Sequence, residues 1–294
     1  MSGERRPYTI DRNLFPPALL AALEGITLPL FAIPQHSVGG AHHTRRIGDS
    51  IEFIDIRPYV SGDDVRSVDW SVYRRFRRLY VRRYESERSR DLLILLDTSA
   101  SMGTPDSKFR CAQTLAGVVA TIAGRANDRV AVLPFSDRLG VRGAGRTRGG
   151  IPVELLAYIS QLRPGGGTHI GPAVRETGSK RPRGSALVLI TDCLDGGGLA
   201  EALPAVRARG LELLVYHCLA PSDVAPPRRG VHRLVDVETG ASRVLTVDRT
   251  VAREFETIAE RWRGEIRRDV ESVGGRYIYV RTDRPLIETV RRAG

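Results

Sequence analysis

The chain of 294 residues contains few cysteines, almost no lysine and no long apolar run. Its three cysteines, Cys111, Cys193 and Cys218, are odd in number and widely spaced, which argues against a disulfide framework or a cysteine zinc site. We expect them to be small buried apolar side chains. No segment approaches the ~18–20 apolar residues that cross a bilayer, and MSGERRPYTIDRN lacks the apolar centre of a signal peptide. The expectation is a cytoplasmic protein without a membrane span.

The basic residues are almost all arginine. The formal net charge is +11, and only Lys108 and Lys180 among the 45 basic residues are lysine. Such a charge favours acidic partners in general, but by itself it does not select nucleic acid, which we regard as an unlikely partner. The densest cluster, RRFRRLYVRR at 74–83, allows two interpretations. It is the solvated face of a half-buried element, or its arginines contact an acidic surface. The candidate partner-binding residues are Arg74, Arg75, Arg77 and Arg78.

Alternating apolar strands and amphipathic helices begin at residue 91. DLLILLD, RVAVLPF, ALVLIT and ELLVYHCL have the composition of strands buried on both faces, and helical patterns separate them. This rhythm predicts an α/β fold with a mostly parallel, Rossmann-like sheet flanked by helices, spanning 91–294. A turn signal at 238–241 predicts a β-hairpin inserted near 231–248. Residues 1–90 are predicted to form a smaller region with one helix followed by β-rich structure.

Oxygen-bearing side chains follow three segments of the predicted sheet. Asp97, Ser99 and Ser101 come after the first strand as D-x-S-x-S, Thr168 follows a glycine-rich loop, and Asp192 follows ALVLIT. In an open parallel sheet, the carboxyl ends of the strands meet at the edge where ligands bind. Hydroxyl and carboxylate oxygens favour a hard cation, which we expect to be Mg²⁺ with Mn²⁺ or Ca²⁺ as alternatives. A coordination position is then left for solvent or for a visiting carboxylate.

These residues carry a family resemblance. DTSAS with Thr168 and Asp192 resembles the metal-ion-dependent adhesion site (MIDAS) of von Willebrand factor type A domains. The stretch from EFIDIRPYVSGDDVRSVDW to LLDTSASM, with DVETG further on, resembles the DUF58 family over roughly residues 35–294. The resemblance implies a von Willebrand A-like domain joined to a smaller β region, with a MoxR-type AAA+ ATPase as partner. Many members carry membrane helices at the N-terminus, which this sequence does not show.

The segment SGDDVRSVDW has a structural interpretation. Gly-Asp-Asp suits a turn, and the large apolar ring of a tryptophan suits a core. We expect ion pairs from this segment to fix the N-terminal region to the larger domain. The structural signature residues are Asp63, Asp64, Arg66, Asp69 and Trp70.

Three functions compete at this level. The leading hypothesis is a non-enzymatic module that binds an unknown protein client through its metal, as adaptor or co-chaperone of the ATPase. The second is a Mg²⁺-dependent phosphoryl hydrolase with Asp97 as nucleophile, although residue 99 is serine where such enzymes have a second aspartate. The third is metal-independent binding of nucleic acid through the arginines. Neither a nucleophile elbow nor a phosphate-binding loop motif is present.

Overall fold

The computed structural model describes residues 10–28, 30, 51–59, 68–86, 90–145, 150–179, 184–225 and 228–293. It divides into two compact units. The larger unit is Met1–Gln35 with Arg90–Gly294, and the smaller is His36–Ser89. The larger unit resumes at Arg90, and the first 35 residues group with it rather than with the smaller unit.

The described part of the smaller unit contains an antiparallel pair of strands and one helix. Its elements are β1 (Ile51–Pro58), α2 (Trp70–Phe76) and β2 (Tyr80–Ser86). The side chain of Asp69 caps α2 by accepting hydrogen bonds from the backbone N–H groups of Ser71 and Val72, at 2.9 and 3.2 Å. This helix was not predicted.

The structure contradicts the predicted position of Trp70. The prediction that it anchors a core is wrong, because its side chain is 57% exposed and its ring packs edge-on against Tyr73 within the same helix. Burial of such a ring requires packing from other elements, and its contact within α2 leaves more than half of it exposed. The other signature residues, Asp63, Asp64 and Arg66, lie outside the described residues.

The arginine cluster spans the end of a helix and the start of a strand. Arg74 and Arg75 occupy the last turn of α2, and Arg77 ends the helix in the left-handed conformation, with φ 52°. Arg74, Arg75, Arg77 and Arg78 are all exposed. The cluster is therefore not one half-buried element.

The larger unit has helices on both faces of a six-stranded sheet. The helices are α1 (Pro17–Ala21), α3 (Asp106–Arg125), α4 (Val153–Gln161), α5 (Ile170–Ser179), α6 (Gly198–Arg209), α7 (Pro221–Val224), α8 (Arg249–Ser272) and α9 (Leu286–Ala293). The sheet strands are β3 (Asp91–Asp97), β4 (Arg129–Phe135), β5 (Gly143–Gly145), β6 (Ala186–Thr191), β7 (Glu212–Leu219) and β10 (Arg276–Arg281).

The order of the sheet is β10-β7-β6-β3-β4-β5, with β5 alone antiparallel to its neighbour. The chain passes from β3 outward to β4 and later returns to place β6 on the other side of β3. This reversal is the switch point at which open α/β sheets leave a crevice. The predicted mixed α/β class with a mostly parallel sheet is confirmed.

The strands bury alternate residues on opposite faces. Leu92, Ile94 and Leu96 face a core layer shared with α3 and α4, whereas Leu93 and Leu95 face a layer shared with α5 and α6. Burial on both faces explains the continuous apolar runs in the sequence. Among the described residues, no helix is both long enough and apolar enough to cross a bilayer. All three cysteines are free and buried, as predicted.

The first described segment packs in the first of these core layers. Leu14, Phe15, Leu20 and Leu23 are buried among residues of α3 and α4. A Cβ atom at Gly117 of α3 would lie 2.1 Å from the ring of Phe15. This close approach explains why the segment groups with the larger unit.

The predicted hairpin is present. It consists of β8 (Gly230–Val235) and β9 (Ser242–Val247), which pair with each other as a separate two-stranded sheet. Most of its residues are exposed, and its turn covers residues 236–241.

Candidate functional site

The two predicted carboxylates leave neighbouring strands at the switch point. Asp97 is the last residue of β3, and Asp192 directly follows β6. These strands run parallel, with Leu96 opposite Ile190, so both carboxylates emerge at the same edge of the sheet. Both side chains are fully buried.

The carboxylate of Asp97 is held by hydrogen bonds on both oxygens. Oδ1 accepts from the backbone N–H of Ser99 at 2.9 Å, and Oδ2 accepts from the hydroxyl of Thr191 at 2.6 Å. Burial raises the pKa of Asp97 to about 7, and the nearby charge of Asp192 adds to that increase. Asp97 thus fixes the loop that follows it and joins this loop to β6.

Two hydroxyl groups face each other directly after Asp97. The Oγ atoms of Ser99 and Ser101 are 3.0 Å apart, and Ser101 lies in a short 3-10 turn at Ser101–Gly103. Ser99 is fully buried, and Ser101 is 7% exposed. The two hydroxyls are hydrogen bonded to each other, and Ala100 between them has right-handed helical backbone, with φ −64° and ψ −31°.

The glycine-rich loop that carries Thr168 is hydrogen bonded to the loop after β3. The backbone N–H of Gly165 donates to the carbonyl of Thr98 at 2.8 Å, and that of Ala100 donates to the carbonyl of Gly166 at 2.9 Å. Gly166 has a φ of 85°, which favours glycine. Thr168, at 9% exposure, follows this junction directly.

Asp192 is paired with a buried lysine that sequence analysis did not assign to the site. Lys108 of α3 is 1% exposed, and its Nζ lies 2.8 Å from Oδ2 of Asp192 and 3.1 Å from Oδ2 of Asp223. The other oxygen of Asp192 accepts from the backbone N–H of Leu194 at 3.2 Å. A protein cation thus already balances part of the negative charge at this edge.

His217 of β7 fixes the backbone of Asp192. Its Nε2 donates to the carbonyl of Asp192 at 2.9 Å, so its Nδ1 is the acceptor for the hydroxyl of Tyr277 at 2.7 Å. Burial lowers the pKa of His217 to about 4, which keeps the ring neutral near pH 7. The ring also contacts Trp262 edge-on.

The donor set fits a small hard cation through its hydroxyls. Two neighbouring ligands of octahedral Mg²⁺, each about 2.1 Å from the ion, are about 3.0 Å apart. The hydroxyl oxygens of Ser99 and Ser101 have this separation, which is also the length of the hydrogen bond between them. The described residues contain no group of three or more His, Cys, Asp or Glu side chains placed to hold a metal. A cation here would therefore need hydroxyl ligands in addition to any carboxylate.

The sequence predicted that the ends of β3 and β6 lie together, but it did not identify three residues whose side chains contact the candidate site. Lys108 is one of only two lysines in the chain, and this rarity was an available signal. Thr191 ends a predicted strand, but nothing in that strand marks its hydroxyl as the donor to Asp97. Glu238 was seen only as part of a turn, yet its carboxylate accepts hydrogen bonds from Thr168.

The fold and this crevice define an open, doubly wound α/β protein with a polar site at its switch point. The family described as "Protein of unknown function DUF58" matches residues 55–265, and the chain belongs to this family. The DUF58 resemblance in the sequence is thereby confirmed.

Curated relatives come from mycobacteria. The chain is 28% identical over 293 residues to the uncharacterized protein Rv1480 of Mycobacterium tuberculosis, covering 97% of this chain and 92% of that protein. It is 35% identical over 113 residues to the uncharacterized protein MAV169 of Mycobacterium avium, covering 38% of this chain and 66% of that protein.

Two solved structures resemble parts of the fold. One is an aerotolerance-related membrane protein from Bacteroides fragilis, at 18% identity and a TM-score of 0.40 over 70% of this chain and 96% of that one. The other is the conserved hypothetical protein BatB from Bacteroides thetaiotaomicron, at 19% identity and a TM-score of 0.36 over 70% of this chain and 97% of that one.

Proposed function

We propose that this chain is a metal-dependent protein-binding module with a von Willebrand A-like domain, and not an enzyme. The cation is Mg²⁺, with Mn²⁺ or Ca²⁺ as alternatives. Its ligands, direct or through water, are Asp97, Ser99, Ser101, Thr168 and Asp192. The supporting observations are the 3.0 Å separation of the Ser99 and Ser101 hydroxyls and the backbone hydrogen bonds that join their loop to the loop of Thr168. When bound, the cation supplies an electrophilic centre for a carboxylate.

The proposed ligands expose little negative charge to solvent, and this supports a role in binding a partner. Both aspartates are fully buried, and Lys108 already pairs with one of them. A cation held mainly by neutral hydroxyls keeps much of its charge, so it attracts an acidic side chain of another protein. By its DUF58 membership, we propose a MoxR-type AAA+ ATPase and a protein client as partners, with this chain as adaptor or co-chaperone.

The exposed arginines of the smaller unit supply a second contact in this proposal. Arg74, Arg75, Arg77 and Arg78 project into solvent around the end of α2. Guanidinium groups form bidentate pairs with carboxylates, so an acidic surface suits them. The hydrolase alternative receives less support, because both oxygens of its nucleophile, Asp97, accept hydrogen bonds within a fully buried side chain.

Metal binding by the whole chain tests the proposal. We would titrate Mn²⁺ into the wild type, Ser101→Ala and Ser107→Ala, using electron paramagnetic resonance to count free ion. Ser107 lies exposed in the first turn of α3 and is the matched control. Binding by the wild type and the control, with weaker binding by Ser101→Ala, is expected. Equal binding by all three chains, or by none, contradicts the proposed site.

Binding to the ATPase is the second test. A purified MoxR-type ATPase from the same organism would be titrated in Mg²⁺ and in EDTA, again with Ser101→Ala beside Ser107→Ala. Affinity that falls in EDTA and in Ser101→Ala supports a metal-mediated contact. Equal affinity in all conditions removes the metal from the mechanism.

A further inference from the structure

The tip of the β8–β9 hairpin reaches the candidate site from within the same chain. Oε1 of Glu238 accepts from the hydroxyl of Thr168 at 2.5 Å, and Oε2 accepts from the backbone N–H of Thr168 at 3.1 Å. The two residues are 70 positions apart in sequence. Within the turn at 236–241, Glu238 is the half-buried residue, whereas Asp236, Val237 and Thr239 are exposed.

The turn is built to hold Glu238 in this position. Oδ1 of Asp236 accepts from the backbone N–H groups of Glu238 and Thr239, at 2.9 and 3.2 Å. These bonds lower the pKa of Asp236 and keep it ionised. The backbone of Asp236 pairs with Ala241, and Gly240 closes the turn with a φ of 73°. A turn fixed at so many points presents the Glu238 carboxylate with little loss of conformational entropy.

The carboxylate supplies what the five predicted ligands lack. The side chains of Asp97 and Asp192 are fully buried, so the predicted set contains no solvent-exposed anionic oxygen. Glu238 brings one directly onto Thr168, which is itself a predicted ligand. Carboxylate oxygens are preferred ligands of Mg²⁺ and Mn²⁺, and a short bond from a hydroxyl to a carboxylate is a strong one.

We propose that Glu238 is an internal ligand of the candidate cation and occupies the coordination position that a partner's carboxylate would take. This inference rests on the proposed function. A client or ATPase carboxylate then competes with Glu238, and binding requires the hairpin tip to leave Thr168. The competing explanation is that Glu238 only satisfies backbone groups before α5, as Asp195 does by accepting from the N–H of Ile170 at 3.3 Å.

The first experiment measures metal affinity alone. Mn²⁺ would be titrated into the wild type, Glu238→Gln and Glu254→Gln, which removes an equal charge at an exposed site on α8. Glutamine keeps an oxygen that can accept from Thr168, so we expect the fold to persist, as circular dichroism would verify. We expect affinity to fall about tenfold or more in Glu238→Gln and to be unchanged in Glu254→Gln.

The outcomes separate the two proposals. If the wild type binds Mn²⁺ and Glu238→Gln binds it equally well, the internal ligand is overturned and the metal site stands. If the wild type binds no Mn²⁺, the proposed function itself fails.

The second experiment tests competition. At saturating Mn²⁺, a fluorescent tetraglutamate peptide would be titrated into the same three chains. We expect tighter binding by Glu238→Gln than by the wild type and Glu254→Gln, because the competing carboxylate is gone. Equal or weaker binding by Glu238→Gln overturns the competition.

Discussion

Lys108 and Asp192 form a fully buried ion pair, with Nζ 2.8 Å from Oδ2. The side chains are 1% and 0% exposed, and Asp223 shares the lysine at 3.1 Å. α3, the loop after β6 and α7 are joined at this one ammonium group. The pair therefore couples the candidate site to the helix that forms the centre of a core layer.

Replacing this lysine is predicted to destabilise the larger unit strongly. Lys108→Met keeps the length of the side chain but leaves Asp192 and Asp223 without their cation. Loss of one partner from a buried pair costs about 3–5 kcal/mol. Urea denaturation followed by circular dichroism would measure the loss.

The matched control is Arg110→Met. Arg110 lies on the same helix, and its side chain is exposed. We expect its effect to stay within about 0.5 kcal/mol, as for most surface positions. Similar losses in the two variants would show that the buried pair contributes no more than an exposed charge.

The strands and their shared edge followed from the sequence because their residues are buried on both faces. RVAVLPF, ALVLIT and ELLVYHCL coincide with β4, β6 and β7. Once the sheet is parallel, Asp97 and Asp192 must emerge together if β3 and β6 are neighbours. Periodicity and topology are therefore enough to predict that these two carboxylates lie at the same edge of the sheet.

The remaining features depend on tertiary packing that local pattern does not encode. Lysine usually lies at the surface, so nothing in KFRCAQTLAG places Lys108 in the core except its rarity in this chain. The turn at Glu238 could be predicted, but its contact with Thr168 depends on the path of the whole hairpin. Trp70 was misplaced because ring size predicts burial only where enough neighbouring surface exists.

Tyr277 is predicted to stabilise the site through His217. Tyr277→Phe removes the hydroxyl that donates to Nδ1 of His217 and leaves a buried acceptor without its donor. Such a loss costs about 1–3 kcal/mol. Tyr279→Phe is the control, because it keeps the ring that contacts His217 and Arg263. Equal free energies of unfolding for the two variants would contradict this role.

Gly117 is predicted to be required for docking of the N-terminal segment. An alanine there would place Cβ 2.1 Å from Phe15 and 2.9 Å from Leu156. We expect Gly117→Ala to cost about 1–3 kcal/mol through overpacking, and to increase proteolytic cleavage near residues 10–28.

Gly264→Ala is the control, and we expect it to change stability in the opposite direction. Gly264 lies in α8, and a Cβ there would meet nothing within 4 Å. Alanine favours a helix over glycine by up to about 1 kcal/mol, so this variant should be more stable than the wild type. If Gly117→Ala also stabilised the chain, Phe15 would have to pack elsewhere.

Titration of Asp128, which lies outside the candidate site, is predicted to make the stability of the chain depend on pH. Its Oδ1 accepts from the backbone N–H of Arg90 at 2.9 Å, and burial raises its pKa from 3.8 to about 6. Between these values the folded chain binds more protons at this residue than the unfolded chain, so its contribution to stability falls as the pH rises. His217, with a pKa lowered to about 4, acts in the opposite direction, so the wild type alone does not reveal either group.

The comparison with Asp128→Asn isolates this contribution. Asparagine keeps an oxygen that can accept from Arg90 but never acquires the buried charge. The melting temperature of Asp128→Asn minus that of the wild type should therefore rise from pH 4 to pH 7, with most of the change between pH about 4 and about 6. Scanning calorimetry at unit intervals of pH would measure it, with the exposed Asp106→Asn as control. A difference that stays constant across this range would mean that Asp128 titrates alike in the folded and unfolded chains, because only a group whose pKa changes on folding can make stability depend on pH.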